Sequence, residues 1–106
     1  MKTLFRIPII HHTEFLNKPI KKVAVCGGSG SSLVRNAISC GADVFLSSDF
    51  KYHDFFTAEK RLIIADIGHF ESEECTKEIF FEVLSKKFPT FAVHFSKFNT
   101  NPINYL

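Results

Sequence analysis

Apolar and polar positions along the chain follow two different periods from Pro19 onward. Short continuous apolar runs predict buried β-strands, whereas apolar residues three or four positions apart predict α-helices. Strands that alternate with helices predict the α/β class, as a layered domain whose sheet is at least partly parallel. The predicted strands are 23–26, 42–46, 62–66 and 90–95, and the predicted helices are 31–39, 52–59 and 71–87.

Residues 1–18 do not follow this rhythm and predict an extended arm or an edge strand, so the α/β domain is assigned to residues 19–106. The arm contains two adjacent histidines, His11 and His12, whose side chains would point to opposite faces of a strand. A surface position is therefore favoured for this pair. His94 is out of phase with the apolar face of the last predicted strand, which indicates a structural role.

The composition narrows the class of protein further. A chain of 106 residues forms one domain, and its 13 Phe are more large rings than it readily buries, so some are expected to face a partner. The formal net charge of +2 argues against nucleic-acid binding. Three Cys without a close pair argue against disulfides and favour the cytoplasm. No apolar run approaches the roughly 20 residues that span a bilayer.

The sharpest chemical pattern is the segment DIGHFESE, which follows the third predicted strand. Ligands in open α/β sheets gather beyond the carboxyl ends of the strands. His69 and Glu73 lie about 40° apart around a helix, close enough to share one divalent ion. Both project onto the apolar stripe of the helix, and Asp66 is expected to orient the second nitrogen of His69. The alternative is that Glu73 only stabilises the first helical turn through its charge.

Two further loops carry groups that bind anions or transfer protons. Gly28, Ser29 and Gly30 stand between a strand and a helix, where backbone amides can hold a phosphate, although a tight turn with a serine cap explains the same residues. Lys51 and His53 follow the second strand and would supply a phosphate contact and a general base. A polar loop with a solvated histidine is the alternative, and spacing alone favours it.

Three sequence segments, in this order, match the motifs of a known family: VAVCGGSGSSLVRNAISCGADVFLSSDFKYHD, IADIGHFESE and TNPINYL. Together they resemble the C-terminal part of the Nif-three-like family, whose members are often called GTP cyclohydrolase I type 2 homologues. The resemblance runs from about Pro19 to Leu106. It implies a two-lobed α/β protein with a dinuclear metal site in the cleft between the lobes, assembled into ring-like homo-oligomers.

The resemblance also assigns residues to that site. The family's G-H-x-x-x-E motif falls on His69 and Glu73, which would be two of the ligands for two divalent ions of Zn, Mn, Fe or Mg. The glycine loop and the segment with Asp49, Lys51 and His53 fall beside the cleft.

The family's other ligands, a histidine pair and an aspartate, belong to an N-terminal lobe that this chain is expected to lack. His11 and His12 stand directly before the glycine loop, where that pair does not belong, so the role is not transferred to them. The implied function is the C-terminal lobe of a metal-dependent hydrolase. His53 would carry protons, and Lys51 with the glycine loop would steady a small, phosphorylated substrate.

The chain alone is expected to be a fragment that binds metal weakly, so its status as an enzyme stays open. The alternative from another class is a non-catalytic domain that assembles with itself or with a partner through its Phe-rich surface. Metal uptake that depends on His69 would separate the two.

Overall fold

A four-stranded mixed sheet organises the chain, which the computed structural model describes from Met1 to Leu106. The strands are β1 (His11–His12), β2 (Val23–Ser29), β3 (Val44–Ser48) and β4 (Ile63–Asp66). The α-helices are α1 (Lys2–Phe5), α2 (Val34–Ser39), α3 (His69–Glu73) and α4 (Thr76–Lys87), with 3-10 helices at Ser31–Leu33 and Tyr52–Ala58.

The strands lie in the order β1-β4-β3-β2 across the sheet. β2 pairs with β3, and β3 with β4, in parallel, whereas β1 pairs antiparallel with β4 at one edge. The connections between the parallel strands contain α2 and the second 3-10 helix. This topology confirms the predicted α/β class and its partly parallel sheet. It also brings the carboxyl ends of β2, β3 and β4 to one side of the molecule.

Successive side chains of β3 and β4 enter two core clusters, one on each face of the sheet. Phe45 and Ile64 pack with residues of α2 and the second 3-10 helix on one face. Val44 and Ile63 pack on the other face with the N-terminal segment, including Ile7. Every residue of β3 is buried, as expected for a central strand that is covered on both faces.

The strand predicted at residues 90–95 is wrong. These residues form no ladder, because no neighbouring strand offers backbone groups to them. Of the alternating apolar side chains that suggested a strand, Phe95 stacks its ring on Phe81 of α4, with centroids 4.7 Å apart, whereas Phe91 is 71% exposed.

The longest predicted helix, residues 71–87, begins earlier, at His69, and is divided into α3 and α4. Its apolar stripe does not face the core, since no residue of α4 is buried and Phe80 is 62% exposed. The expectation that His69 and Glu73 are directed inward is wrong, since their side chains are 47% and 52% exposed. Other segments already fill the two cores that pack on β3 and β4. None of the helices combines the length and the apolar character needed to cross a membrane.

Candidate metal centre

His69 and Glu73 are the first and last residues of α3, which begins just beyond the carboxyl end of β4. Gly68 permits the change of direction between strand and helix, since its φ of 84° lies in the region that favours glycine. Nε2 of His69 is 3.4 Å from Oε2 of Glu73. Two ligands of a tetrahedral ion, each bonded at about 2.1 Å, stand about 3.4 Å apart, so one divalent ion fits this pair.

The pair is open to a ligand from outside. The side chains of His69 and Glu73 are 47% and 52% exposed. No group of three or more His, Cys, Asp or Glu side chains able to hold an ion forms within the chain. The donor set, one imidazole nitrogen and one carboxylate, suits Zn²⁺, Mn²⁺ or Fe²⁺, but it is smaller than a complete catalytic site.

Asp49 holds the other nitrogen of His69. Its Oδ2 lies 2.6 Å from Nδ1 of the imidazole, and the residue stands immediately after β3. This hydrogen bond, together with the negative charges of Asp49 and Glu73, raises the pKa of His69 above its usual value. Sequence spacing gave no signal for the contact, because it joins residues that are 20 positions apart.

Asp66 does not orient His69, contrary to the expectation. Its Oδ1 accepts a hydrogen bond from the N–H of Gly68 at 3.0 Å, and its Oδ2 accepts one from the N–H of Phe50 at 3.3 Å. Asp66 therefore ties together the two loops that carry His69 and Asp49, since one accepted bond comes from each loop.

The glycine loop contacts the pair directly. Gly28 lies within β2, which runs three residues further than predicted, to Ser29, through a register irregularity. Its φ is 65°, and a Cβ at this position would collide with Oε1 of Glu73 and lie 3.4 Å from Cε1 of His69. Only glycine leaves room for both side chains while adopting this backbone conformation.

The backbone of Gly28 is engaged within the protein. Its N–H donates to Oγ of Ser72 at 2.8 Å, and its carbonyl accepts from the hydroxyls of Ser47 and Ser48 at 3.0 and 2.6 Å. Both serines are fully buried in β3, where the sequence suggested a polar loop. Gly30 likewise has no room for a Cβ, which would collide with the Ser47 hydroxyl. These contacts account for the two glycines by close packing, and anion binding by Gly28, Ser29 and Gly30 stays a prediction.

Lys51 and His53 lie outside the cleft that contains the pair. The N–H of Lys51 donates to Oδ2 of Asp54 at 2.8 Å, at the start of the 3-10 helix. The ring of His53 packs near Tyr52 and Phe56, with centroids 5.3 and 6.5 Å away. A proton-carrying role for His53 and a phosphate contact for Lys51 stay predictions.

A cleft of about 780 Å³ opens beside His69 and Glu73. Its far side is apolar and consists of α4 side chains and the irregular segment that follows, including Phe80 and Phe98. His94 also lines this cleft, whereas His11 and His12 line a separate cavity of about 590 Å³ at the β1 edge. The pair of His69 and Glu73 therefore lies at the border between polar loops and an open apolar surface.

The C-terminal segment TNPINYL returns to α3. Oε1 of Glu71 accepts hydrogen bonds from Nδ2 of Asn101 at 3.1 Å and from the hydroxyl of Tyr105 at 3.3 Å. Burial, together with the charges of Glu71 and Asp66, raises the pKa of Tyr105. The other oxygen of Glu71 is buried without a hydrogen-bond partner against Gly68, which has no Cβ to displace it. This segment therefore braces the turn that precedes His69.

Comparison with known proteins identifies the architecture that surrounds this pair. Residues 1–102 match the sequence model of the Duf34/NIF3 (NGG1p interacting factor 3) family. The chain belongs to this family. The match confirms the resemblance inferred from the three sequence segments and extends it, since the Duf34/NIF3 region includes the arm before Pro19 as well.

Curated Duf34/NIF3 relatives are named GTP cyclohydrolase 1 type 2 homolog. The chain is 36% identical over 108 residues to the protein from Staphylococcus epidermidis, covering 98% of this chain and 30% of that protein. It is 39% identical over 74 residues to the Campylobacter jejuni protein, covering 69% of this chain and 30% of the relative. The chain thus spans about 30% of the length of these relatives.

Solved Duf34/NIF3 structures share the fold. A Staphylococcus aureus protein superposes with a TM-score of 0.82 at 30% identity, over 99% of this chain and 31% of that one. A Bacillus cereus protein related to NIF3 gives a TM-score of 0.80 at 27% identity, over 99% and 30% of the two chains. Because almost the whole chain is covered, the irregular C-terminal segment is part of the shared fold.

Proposed function

We propose that this chain contributes His69 and Glu73 to a divalent metal centre, as the C-terminal part of a metal-dependent hydrolase that resembles the GTP cyclohydrolase 1 type 2 homologues. The observation that carries the proposal is the 3.4 Å separation of Nε2 of His69 and Oε2 of Glu73. That separation equals the spacing of about 3.4 Å between two ligands of one tetrahedral ion. Gly28 adds support, because a Cβ at this position would occupy the space that the Glu73 carboxylate fills.

The chain's own residues would hold and enclose the ion. His69 and Glu73 would bind it, and Asp66 would keep the loops on either side of the pair together through Phe50 and Gly68. A bound ion of this kind polarises a substrate oxygen and lowers the pKa of bound water. A small phosphorylated molecule is the substrate class we propose, since phosphoryl oxygens are common partners of divalent ions in hydrolases.

Further ligands would come from a second polypeptide segment over the cleft. A catalytic zinc site usually has three protein ligands, and a pair of ions needs more than the two that His69 and Glu73 provide. The apolar side of the cleft supports this docking, because Phe80 and Phe98 are 62% and 87% exposed. The segment would belong either to the rest of a longer polypeptide or to another copy in a homo-oligomer.

Elemental analysis after metal loading and desalting tests the proposal. His69→Ala and Glu73→Gln should each reduce the bound Zn²⁺ or Mn²⁺, and the double variant should lose little more than either single, because both ligands act on one ion. His53→Ala and Glu82→Gln are matched controls, since both side chains lie outside the cleft, and both should retain the wild-type metal content. Wild-type metal content in both His69→Ala and Glu73→Gln would overturn the proposal.

A non-catalytic assembly domain is the second candidate, and the exposed apolar face of α4 favours it. Such a domain would associate with itself or a partner in the presence of a chelator. It would also be indifferent to His69→Ala, so sedimentation of wild type and variant with and without metal distinguishes the two functions.

A further inference from the structure

The backbone of Asp49 has an unusual conformation. Its φ is 59°, a left-handed value that costs a non-glycine residue free energy and that Asp and Asn tolerate better than other side chains. Strained residues of this kind persist where the surrounding structure fixes them, and they cluster at functional sites. At Asp49 the conformation directs the carboxylate to Nδ1 of His69, where Oδ2 stands at 2.6 Å.

The consequence for His69 lies in the choice between its two ring nitrogens. A neutral imidazole carries one proton, and only the nitrogen without it can bind a metal ion. Asp49 accepts a hydrogen bond at Nδ1, which keeps the proton on that atom. Nε2 is then left with its lone pair free, and it is the nitrogen that faces Oε2 of Glu73 at 3.4 Å.

We propose that Asp49 is a positioning residue, which fixes the tautomer and the ring orientation of His69 so that Nε2 is presented toward Glu73 as a metal ligand. The inference rests on the proposed function for its metal-binding consequence, whereas the tautomer itself is a property of the metal-free chain. Carboxylates that orient metal-binding histidines typically contribute about 10–100-fold to metal affinity. Asp66 does not take this role, because its two oxygens are bonded to backbone amides.

The test uses Asp49→Gly, which removes the carboxylate and keeps the left-handed backbone without strain. Glu59→Gly is the matched control, because Glu59 has a φ of 48°, is exposed and lies outside the cleft. Two quantities are measured for the whole chain: the Kd of Zn²⁺ by calorimetry, and the His69 tautomer by nitrogen NMR of the metal-free protein at a pH where the ring is neutral.

Asp49→Gly should raise the Kd by about 10–100-fold and shift the His69 proton from Nδ1 toward a mixture of both tautomers. Glu59→Gly should change neither quantity. Asp49→Asn keeps an acceptor oxygen without the charge, so it should preserve the Nδ1 proton and give a smaller rise in Kd than Asp49→Gly.

An unchanged tautomer or an unchanged Kd in Asp49→Gly would overturn the inference, provided that His69→Ala still abolishes binding. If His69→Ala has no effect on the Kd, the proposed metal site fails instead. If Asp49→Gly and Glu59→Gly lower the melting temperature equally and only the former moves the tautomer, the positioning role is supported over a structural one.

Discussion

The molecule divides at Gly68 into two regions that bury their side chains very differently. All 17 buried residues lie between Ile7 and Ile67, and none lies between Gly68 and Leu106. Strands β3 and β4 of the first region are covered on both faces, whereas the second region exposes the rings of Phe80 and Phe98. Under the proposal above, this exposed apolar surface is where a second polypeptide segment would dock.

The pair formed by His69 and Glu73 lies at the boundary between these regions and is positioned by residues of both. His69 and Glu73 belong to the first helix of the second region. Gly28, which lies in β2, and Asp49, which directly follows β3, contact them from the first region. Residues of the first region therefore fix the positions of the His69 and Glu73 side chains. In the proposed function, the second region offers its apolar surface to the segment that supplies further metal ligands.

Truncation to Ala should affect stability much more in the first region than in the second. Ile64 is 0% exposed at the centre of the sheet, and Ile64→Ala should lower the free energy of unfolding by about 2–5 kcal/mol. Phe80→Ala removes a larger side chain from α4, yet it should change that free energy by less than about 0.5 kcal/mol. Urea unfolding of both variants measures the difference. Comparable losses would mean that the exposed region is packed in solution and that the division at Gly68 is not real.

A single methyl group added at Gly28, beside the boundary between the two regions, should reduce both stability and bound metal. Gly28→Ala should destabilise the fold by about 1–2 kcal/mol through its positive φ, and the added Cβ should also displace the Glu73 carboxylate and reduce bound metal. Gly41→Ala is the matched control, since Gly41 has a φ of 73° but no atom within 4 Å of the added carbon. The two variants should have similar melting temperatures. Gly28→Ala should bind less metal than Gly41→Ala. Equal metal contents in the two variants would mean that Gly28 does not influence metal binding.

The smallest expected effect concerns a charge of the first region. Asp43 accepts hydrogen bonds from the N–H groups of Lys21 and Lys22 at 2.8 and 2.9 Å and pairs with Nζ of Lys18 at 2.9 Å. The bond from Lys18 and those from the two amides hold the pKa of Asp43 far below its usual range.

Because the pKa is lower in the folded state than in the unfolded state, the stabilisation is present above the unfolded value of about 3.9 and is lost as the pH falls. Asp43→Asn should therefore lower the melting temperature at about pH 7, and the difference from wild type should narrow toward about pH 3. Glu14→Gln is the control, since the exposed pair of Glu14 with Lys60 should contribute little at either pH. A difference that does not change with pH would contradict this assignment.

The sequence patterns that succeeded are local, and those that failed depend on partners. β3 and β4 were predictable because continuous apolar runs of their length are typical of buried parallel strands. The alternation of residues 91–95 met an equally local criterion for a strand, but no second strand pairs with it. The proximity of His69 and Glu73 was predictable from helical spacing. The resemblance placed Asp49 beside the cleft, but its hydrogen bond to His69 was not predictable. Its contact requires a left-handed residue after β3, which no periodicity encodes.

The return of the C-terminal segment to α3 gives the protein a built-in optical reporter. The chain has no Trp and two Tyr, so fluorescence excited in the tyrosine absorption band, beyond that of Phe, arises from Tyr52 and Tyr105. The hydroxyl of Tyr105 donates to Glu71, two residues after His69, whereas Tyr52 is 74% exposed in the 3-10 helix. The fluorescence of Tyr105 therefore reports whether the C-terminal segment is packed beside His69 and Glu73. Ultraviolet spectroscopy of the unlabelled chain can follow the docking of a partner without an introduced dye.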